Sequence, residues 1–228
     1  MVCFLLGFLL TTGCNKNTSS PAPPGDTTTT LPVDTPTHKP VPGSFAKGAD
    51  ISWLTQMESS GYLFYDSTGK KMDCMELLKT LGINSIRLRA WVNPSDGWCN
   101  TADLLTKAIR AKNLGFKIMI DFHFSDVWAD PGHQSKPAAW VALDSAALYN
   151  AVYNYTQQVM DTLKSNGINP QWVQVGNETN DGMLWENGRA STNMHQFASL
   201  INAGYLAVKS VNDSTMVIVH ISNGFDNN

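Results

Sequence analysis

Four short apolar runs in this chain, GINSIRLRAW, GFKIMIDFHF, INPQWVQVGNE and TMVIVHISNG, each end in polar or charged residues, and amphipathic stretches separate them. That rhythm is strand alternating with helix. Parallel strands need helical crossovers, and short runs buried on both faces suit an α/β barrel or a doubly wound sheet. ADISWL near residue 50 supplies a further strand, so five strands are expected in βα order. Asp73 and Glu76 have the spacing of a capping box, Leu77, Leu78 and Leu81 follow on one face, and Gly82 supplies the stop. Thr101 to Gly115 repeats the plan with Leu104, Leu105, Ala108, Ile109 and Ala111 apolar, and Ser145 to Gly167 and Ser191 to Val211 are the longer helices.

The position of the polar residues separates the two architectures. Every run carries them at its C-terminal end: Asp50 and Ser52, Arg87 and Arg89, Asp121 and His123, Asn177 and Glu178, His220. In a (β/α)8 barrel those ends converge on one face, where active sites are built. A dinucleotide-binding sheet needs G-x-G-x-x-G after its first strand, and that turn is absent here. A complete barrel takes ~250 residues. Residues 45–228 stop just beyond the fifth strand. The expectation is therefore an α/β fold, a (β/α)8 TIM barrel truncated after about the fifth strand, with three βα units beyond this chain.

Of the 228 residues, 43% are apolar and 15% charged, enough to bury a sizeable core. A formal charge of −3 with Lys and Arg scattered singly offers no footprint for nucleic acid and no polybasic membrane patch, so an uncharged partner is expected. Residues 1–14, MVCFLLGFLLTTGC, read as an export segment too short to span a bilayer. The ending Leu10-Thr11-Thr12-Gly13-Cys14 resembles a bacterial lipoprotein box, which implies lipidation of Cys14 and a cell-surface or periplasmic location, or otherwise secretion. Residues 15–44, rich in Thr, Pro and Ser, read as a disordered tether, because ordering them costs more entropy than their burial returns. Residues 45–228 are expected to be the N-terminal part of the barrel domain, and monomeric.

Glu178 closes an apolar strand and follows Asn177, whose amide suits a sugar hydroxyl. A carboxylate so placed suits a general acid with a pKa raised by its pocket, although a lone Glu also reads as a helix N-cap or loop acid. Arg89 alternates with Leu88, which aims a long cation into the barrel mouth, where a carboxylate such as Asp50 or an acid from a later strand is the expected partner. Trp91, Trp98, Trp128, Trp140 and Trp185 are numerous for loops; of these, Trp91 and Trp128 are taken as sugar-stacking residues, with core packing the alternative. Asp121, His123, Asp126, Asp130 and His133 lack the spacing of a metal motif, so no metal and no cofactor is expected. Cys74 and Cys99 are expected as free thiols, with pairing in an exported protein the alternative.

GADISWL, INSIRLRAWVNP, DFHFSDVWADPGHQSKPAAW, VQVGNETNDGMLWENGR and VIVHISNG resemble the successive strand ends of glycoside hydrolase family 53, the arabinogalactan endo-β-1,4-galactanases. The likeness runs from about Phe45 onward, and the block at 121–131 is its most specific part. Phe124 stands where many relatives carry Tyr. The resemblance implies Glu178 as acid/base and Asn177 on the hydroxyl beside the scissile bond. It also implies that Arg89, His123 and His220 line the subsite of bond breaking, and gives Asp50 and Asp121 sugar-binding or supporting roles. The implied reaction is retaining hydrolysis of β-1,4-galactan with a nucleophile that this chain does not contain. Another retaining β-glycanase of the same clan, acting on mannan or glucan, and a non-catalytic glycan-binding lipoprotein are the alternatives.

Overall fold

The computed structural model describes residues 45–224, so the leader, Cys14 and the tether lie outside the described residues. In chain order the elements are β1 (Gly48–Asp50), α1 (Leu54–Ser59), β2 (Phe64–Tyr65), β3 (Lys71–Met72), α2 (Cys74–Thr80), β4 (Ser85–Ala90) and α3 (Thr101–Asn113). They continue with β5 (Lys117–Phe122), a 3-10 turn (Ala138–Trp140), α4 (Ser145–Ser165), β6 (Trp172–Val175), α5 (Ala190–Val211) and β7 (Met216–Ile218). Five strands form one parallel sheet in the order β1-β4-β5-β6-β7, as the rhythm predicts. The small antiparallel β2-β3 hairpin was not foreseen.

Local chemistry sets the helix starts. The Asp73 side chain accepts from the N–H groups of Met75 and Glu76, Asn100 caps Asp103 N, and Asp144 caps Ala147 N. Each satisfies a backbone donor that the first helical turn leaves unpaired. At the end of α3, Gly115 takes φ +71°, a left-handed turn that a side chain would strain, and the chain drops directly into β5.

Strand alternation divides the core. Ile86, Leu88, Ala90, Ile118, Ile120, Phe122, Val173 and Val175 point outward and are buried in the main hydrophobic cluster with Leu104, Ala108, Leu148, Val159 and Leu200 from the helices. Helix α3 packs on β4 and β5, α5 packs on β6, and α4 lies against both helices. Two expected core positions differ: Leu81 ends α2 at 70% exposure and Ile109 lies at the edge of the buried stripe. In their place α3 buries Lys107, whose ammonium pairs with Asp103 one turn earlier and donates to Thr55 Oγ1 at 3.3 Å.

Candidate active site

Because the strands are parallel, the register sets their polar ends level: Asp50 pairs with Arg87, Arg89 with Asp121, and Asp121 with Gln174. Arg87 is the hub. Its Nη1 lies 2.6 Å from Asp50 Oδ2, and its Nη2 lies 2.7 Å from Asp121 Oδ2 and 2.9 Å from Asn177 Oδ1. Asp121 is fully buried and also receives Gln174 Nε2 and, at 3.0 Å, His123 Nε2. Burial works against ionised Asp50, but hydrogen bonds from the hydroxyl and N–H of Ser52, together with the Arg87 charge, outweigh it and hold the carboxyl below its ordinary range.

Of the two partners expected for Arg89, Asp50 is not the one: Arg87 takes that carboxylate. Arg89, 2% exposed, lies among indoles, its Cζ 4.1 Å from the Trp128 centroid, 4.3 Å from Trp91 and 5.3 Å from Trp53. Its Nη2 donates to Cys99 Sγ at 3.4 Å, and among the described residues its Nε has no partner. Asp121 and His123, expected at the sugar subsite or in supporting roles, face inward. Both are buried, and His123 uses both nitrogens internally: Nδ1 accepts from Ala129 N at 3.1 Å, which leaves Nε2 to donate to Asp121. They support Arg87 and Trp128 instead, the His123 ring lying 5.4 Å from the Trp128 ring.

Glu178 is half-buried, with φ +49°, a conformation costing a side-chain-bearing residue about 1–2 kcal/mol. Such strain persists where surrounding contacts over-determine it. Here Gln134 Nε2 donates to Asn177 O at 2.8 Å, Thr179 N and Oγ1 donate to His220 O at 2.8 and 3.0 Å, and His220 Nδ1 lies 3.3 Å from Glu178 N. The same Nδ1 is 3.0 Å from Asn177 Oδ1, so it either donates there or accepts from Glu178 N–H. Asn177 Nδ2 donates to Ala129 O at 2.8 Å. Glu178 caps no helix, since α5 begins at Ala190.

The remaining candidates divide. Trp91 is 8% exposed and packs inside the cage, whereas Trp128 is 43% exposed. Trp53, at 50%, escaped the sequence reading, although its place three residues beyond Asp50 was a usable signal. Trp140 is core, and Trp185 lies under Arg189 at 3.9 Å. Asp126 is taken up by Asn93 N and Ala138 N, and Asp130 by His133. Among the described residues no three His, Cys, Asp or Glu side chains group as metal ligands, and Cys74 and Cys99 are both free.

Known proteins match this chain in sequence and fold. The Ignisphaera aggregans GH53 catalytic domain is 40% identical with a TM-score of 0.75, the match covering 80% of this chain and 54% of that one. A fungal β-1,4-galactanase structure is 35% identical at TM-score 0.75, covering 78% and 54%. These matches make the five-stranded sheet part of a (β/α)8 barrel. In sequence, a probable arabinogalactan endo-β-1,4-galactanase A of Neosartorya fischeri is 40% identical over 185 residues, 79% of this chain and 51% of the relative. The endo-β-1,4-galactanase of Bacillus subtilis (strain 168) is 37% identical over 187 residues, 78% and 42% of the two chains. The chain spans about half the length of the curated relatives it matches. A sequence model of glycosyl hydrolase family 53 fits residues 46–228, and the chain belongs to that family.

Proposed function

We propose that this chain carries the acid/base side of a retaining endo-β-1,4-galactanase site, with Glu178 as the proton donor. The observation that carries the reading is the setting of Glu178: a half-buried carboxylate in a strained turn at the C-terminal end of β6, beside Asn177 and His220 and next to the Arg87 network. Glu178 gives its proton to the leaving glycosidic oxygen while a second carboxylate attacks the anomeric carbon and forms the glycosyl-enzyme. Glu178, now ionised, takes a proton from the water that displaces that carboxylate.

The second carboxylate should stand ~5 Å from the first. Among the described residues, Asp50 and Asp121 are committed to Arg87, Glu58 to Arg110 and Glu186 to Arg189, so the nucleophile is assigned to a later strand of the longer protein. Asn177 has a second amide hydrogen beyond the one given to Ala129, available to a substrate hydroxyl. His220 lines the same edge. The names of the relatives support β-1,4-galactan as substrate. Export through residues 1–14, with lipid on Cys14, belongs to the same proposal.

The test uses the full-length protein. Glu178→Gln should abolish hydrolysis of galactan while retaining binding, since the amide keeps the shape but donates no proton. A substrate whose leaving group needs no protonation should still form the glycosyl-enzyme, and azide should restore turnover. Undiminished galactan hydrolysis in the variant overturns the role of Glu178, and wild-type turnover of mannan or cellulose in preference to galactan overturns the substrate.

A further inference from the structure

Most of the polar strand-end residues are buried, yet two large indoles beside them are half exposed. Trp53 and Trp128 stand edge to face at 5.7 Å and 83°, and with Asp50, Ser52, Phe64 and Arg89 they line a cavity of about 380 Å³. Beneath them lies Arg89. Its guanidinium has no carboxylate within ion-pair distance among the described residues, and the faces of three indoles supply the negative potential that such a group otherwise draws from an anion. The contact acts in both directions: the charge fixes the tilt of Trp53 and Trp128 while Trp91 closes the inner side.

We propose that Trp53 and Trp128 form a glycan-binding subsite remote from the scissile bond, with Arg89 as the positioning residue that holds both indoles. The inference rests on the galactanase reading and extends it. An axial 4-oxygen leaves one face of galactose lined by C–H bonds, the surface that stacks on an indole, while its hydroxyls project at the rim towards Asp50, whose side chain is 37% exposed. The subsite is continuous with the site of Glu178 through the contact of Trp128 with His123 and the bond of His123 to Asp121. Trp53 follows β1 and Glu178 follows β6, three strand spacings apart in the sheet order and hence roughly 14 Å along it. That separation places the platform under a sugar other than those flanking the bond that breaks.

The experiment uses full-length protein in two forms. In the Glu178→Gln background, affinity for galacto-oligosaccharides of increasing length is measured by calorimetry. Trp53→Ala should weaken binding of the longer ligands about three- to tenfold and leave the shortest unchanged, with Trp53→Phe close to wild type. In the active enzyme Trp53→Ala should raise KM on galactan with kcat held, the pattern of binding shared by ground and transition states. Arg89→Met should reproduce the length-dependent loss of affinity of Trp53→Ala, and Arg89→Lys should restore affinity in part because the charge remains under the rings. Equal affinity with and without Trp53 at every ligand length overturns the subsite while leaving the galactanase reading intact, whereas a wild-type protein that neither binds nor cleaves galactan overturns both. Should Arg89→Met fail to fold, the Trp53→Ala and Trp53→Phe pair still decides.

Discussion

Gly204 on α5 touches the strand that ends at Glu178, and replacing it with alanine should damage both stability and catalysis. A methyl group there would lie 2.6 Å from Val175 Cγ1 and 3.1 Å from Cγ2. Carbon atoms rest at about 3.5–4.0 Å, so α5 and β6 must separate by roughly 1 Å. Rotating Val175 gives little relief, because a branched side chain exchanges one methyl for the other. Overpacking of this kind costs about 1–3 kcal/mol, and alanine returns up to ~1 kcal/mol of helix propensity. The net is a loss of roughly 1–2 kcal/mol, read as a fall in Tm of about 2–8 °C. Val175 stands three residues before Glu178, so the displacement reaches the proposed acid/base, and an error of about 1 Å there lowers kcat by up to ~100-fold. Thermal melts and galactan kinetics on the full-length protein measure both effects, and Gly204→Ala combined with Val175→Ala should recover most of each. A single variant as stable and as active as wild type would refute the reasoning.

Three further outcomes follow from other sites. Asp50 is held below the ordinary carboxylate range, so its contribution to stability is present above about pH 4 and is lost as pH falls through its depressed pKa; Asp50→Asn should flatten that acid limb in denaturant titrations repeated between pH 2 and 6. Lys107 is fully buried against Asp103, so Lys107→Ala should lower unfolding free energy by about 3 kcal/mol or more in urea, because it leaves a largely buried carboxylate uncompensated. Cys14→Ser should shift the protein from the membrane to the soluble fraction on cell lysis if Cys14 carries lipid, since acyl burial supplies the retention.

The strand-helix rhythm was legible because each parallel strand buries its outer side chains against a helix and needs a polar boundary where it ends. The site was legible only as a set of strand ends. Arg87 and Arg89 lie on the same face of β4, and the register sets Arg89, not Arg87, opposite Asp121. Only the reach of the side chains gives both carboxylates to Arg87, and reach is a property of three strands together. Trp53 was missed because a lone Trp after a three-residue strand carries no periodic signal. Lys107 reads as a solvent-facing helix cation until Asp103, one turn earlier, is seen to turn inward with it. The β2 and β3 strands, two residues each, are too short for alternation to register.

The clasp between His220 and the turn at Glu178 also fixes an order of events. Glu178 N, Thr179 N and Thr179 Oγ1 reach His220, and Asn180 is bonded in both directions to Ser222, positions 41 or 42 residues downstream. The left-handed backbone at Glu178 is therefore held largely from 41 or 42 residues downstream, with Gln134 from the preceding unit as its other anchor. On a growing polypeptide the downstream half of that clasp stays unmade until α5 has been synthesised and β7 has paired beside β6. Closing such a span costs chain entropy before the contacts that reward it exist, so this corner should order late. Hydrogen exchange during refolding should then show the Glu178 and Thr179 amides gaining protection together with β7 and after those of β4 and β5, so that Glu178, the proposed proton donor, falls into place with β7 rather than with β6, the strand it follows.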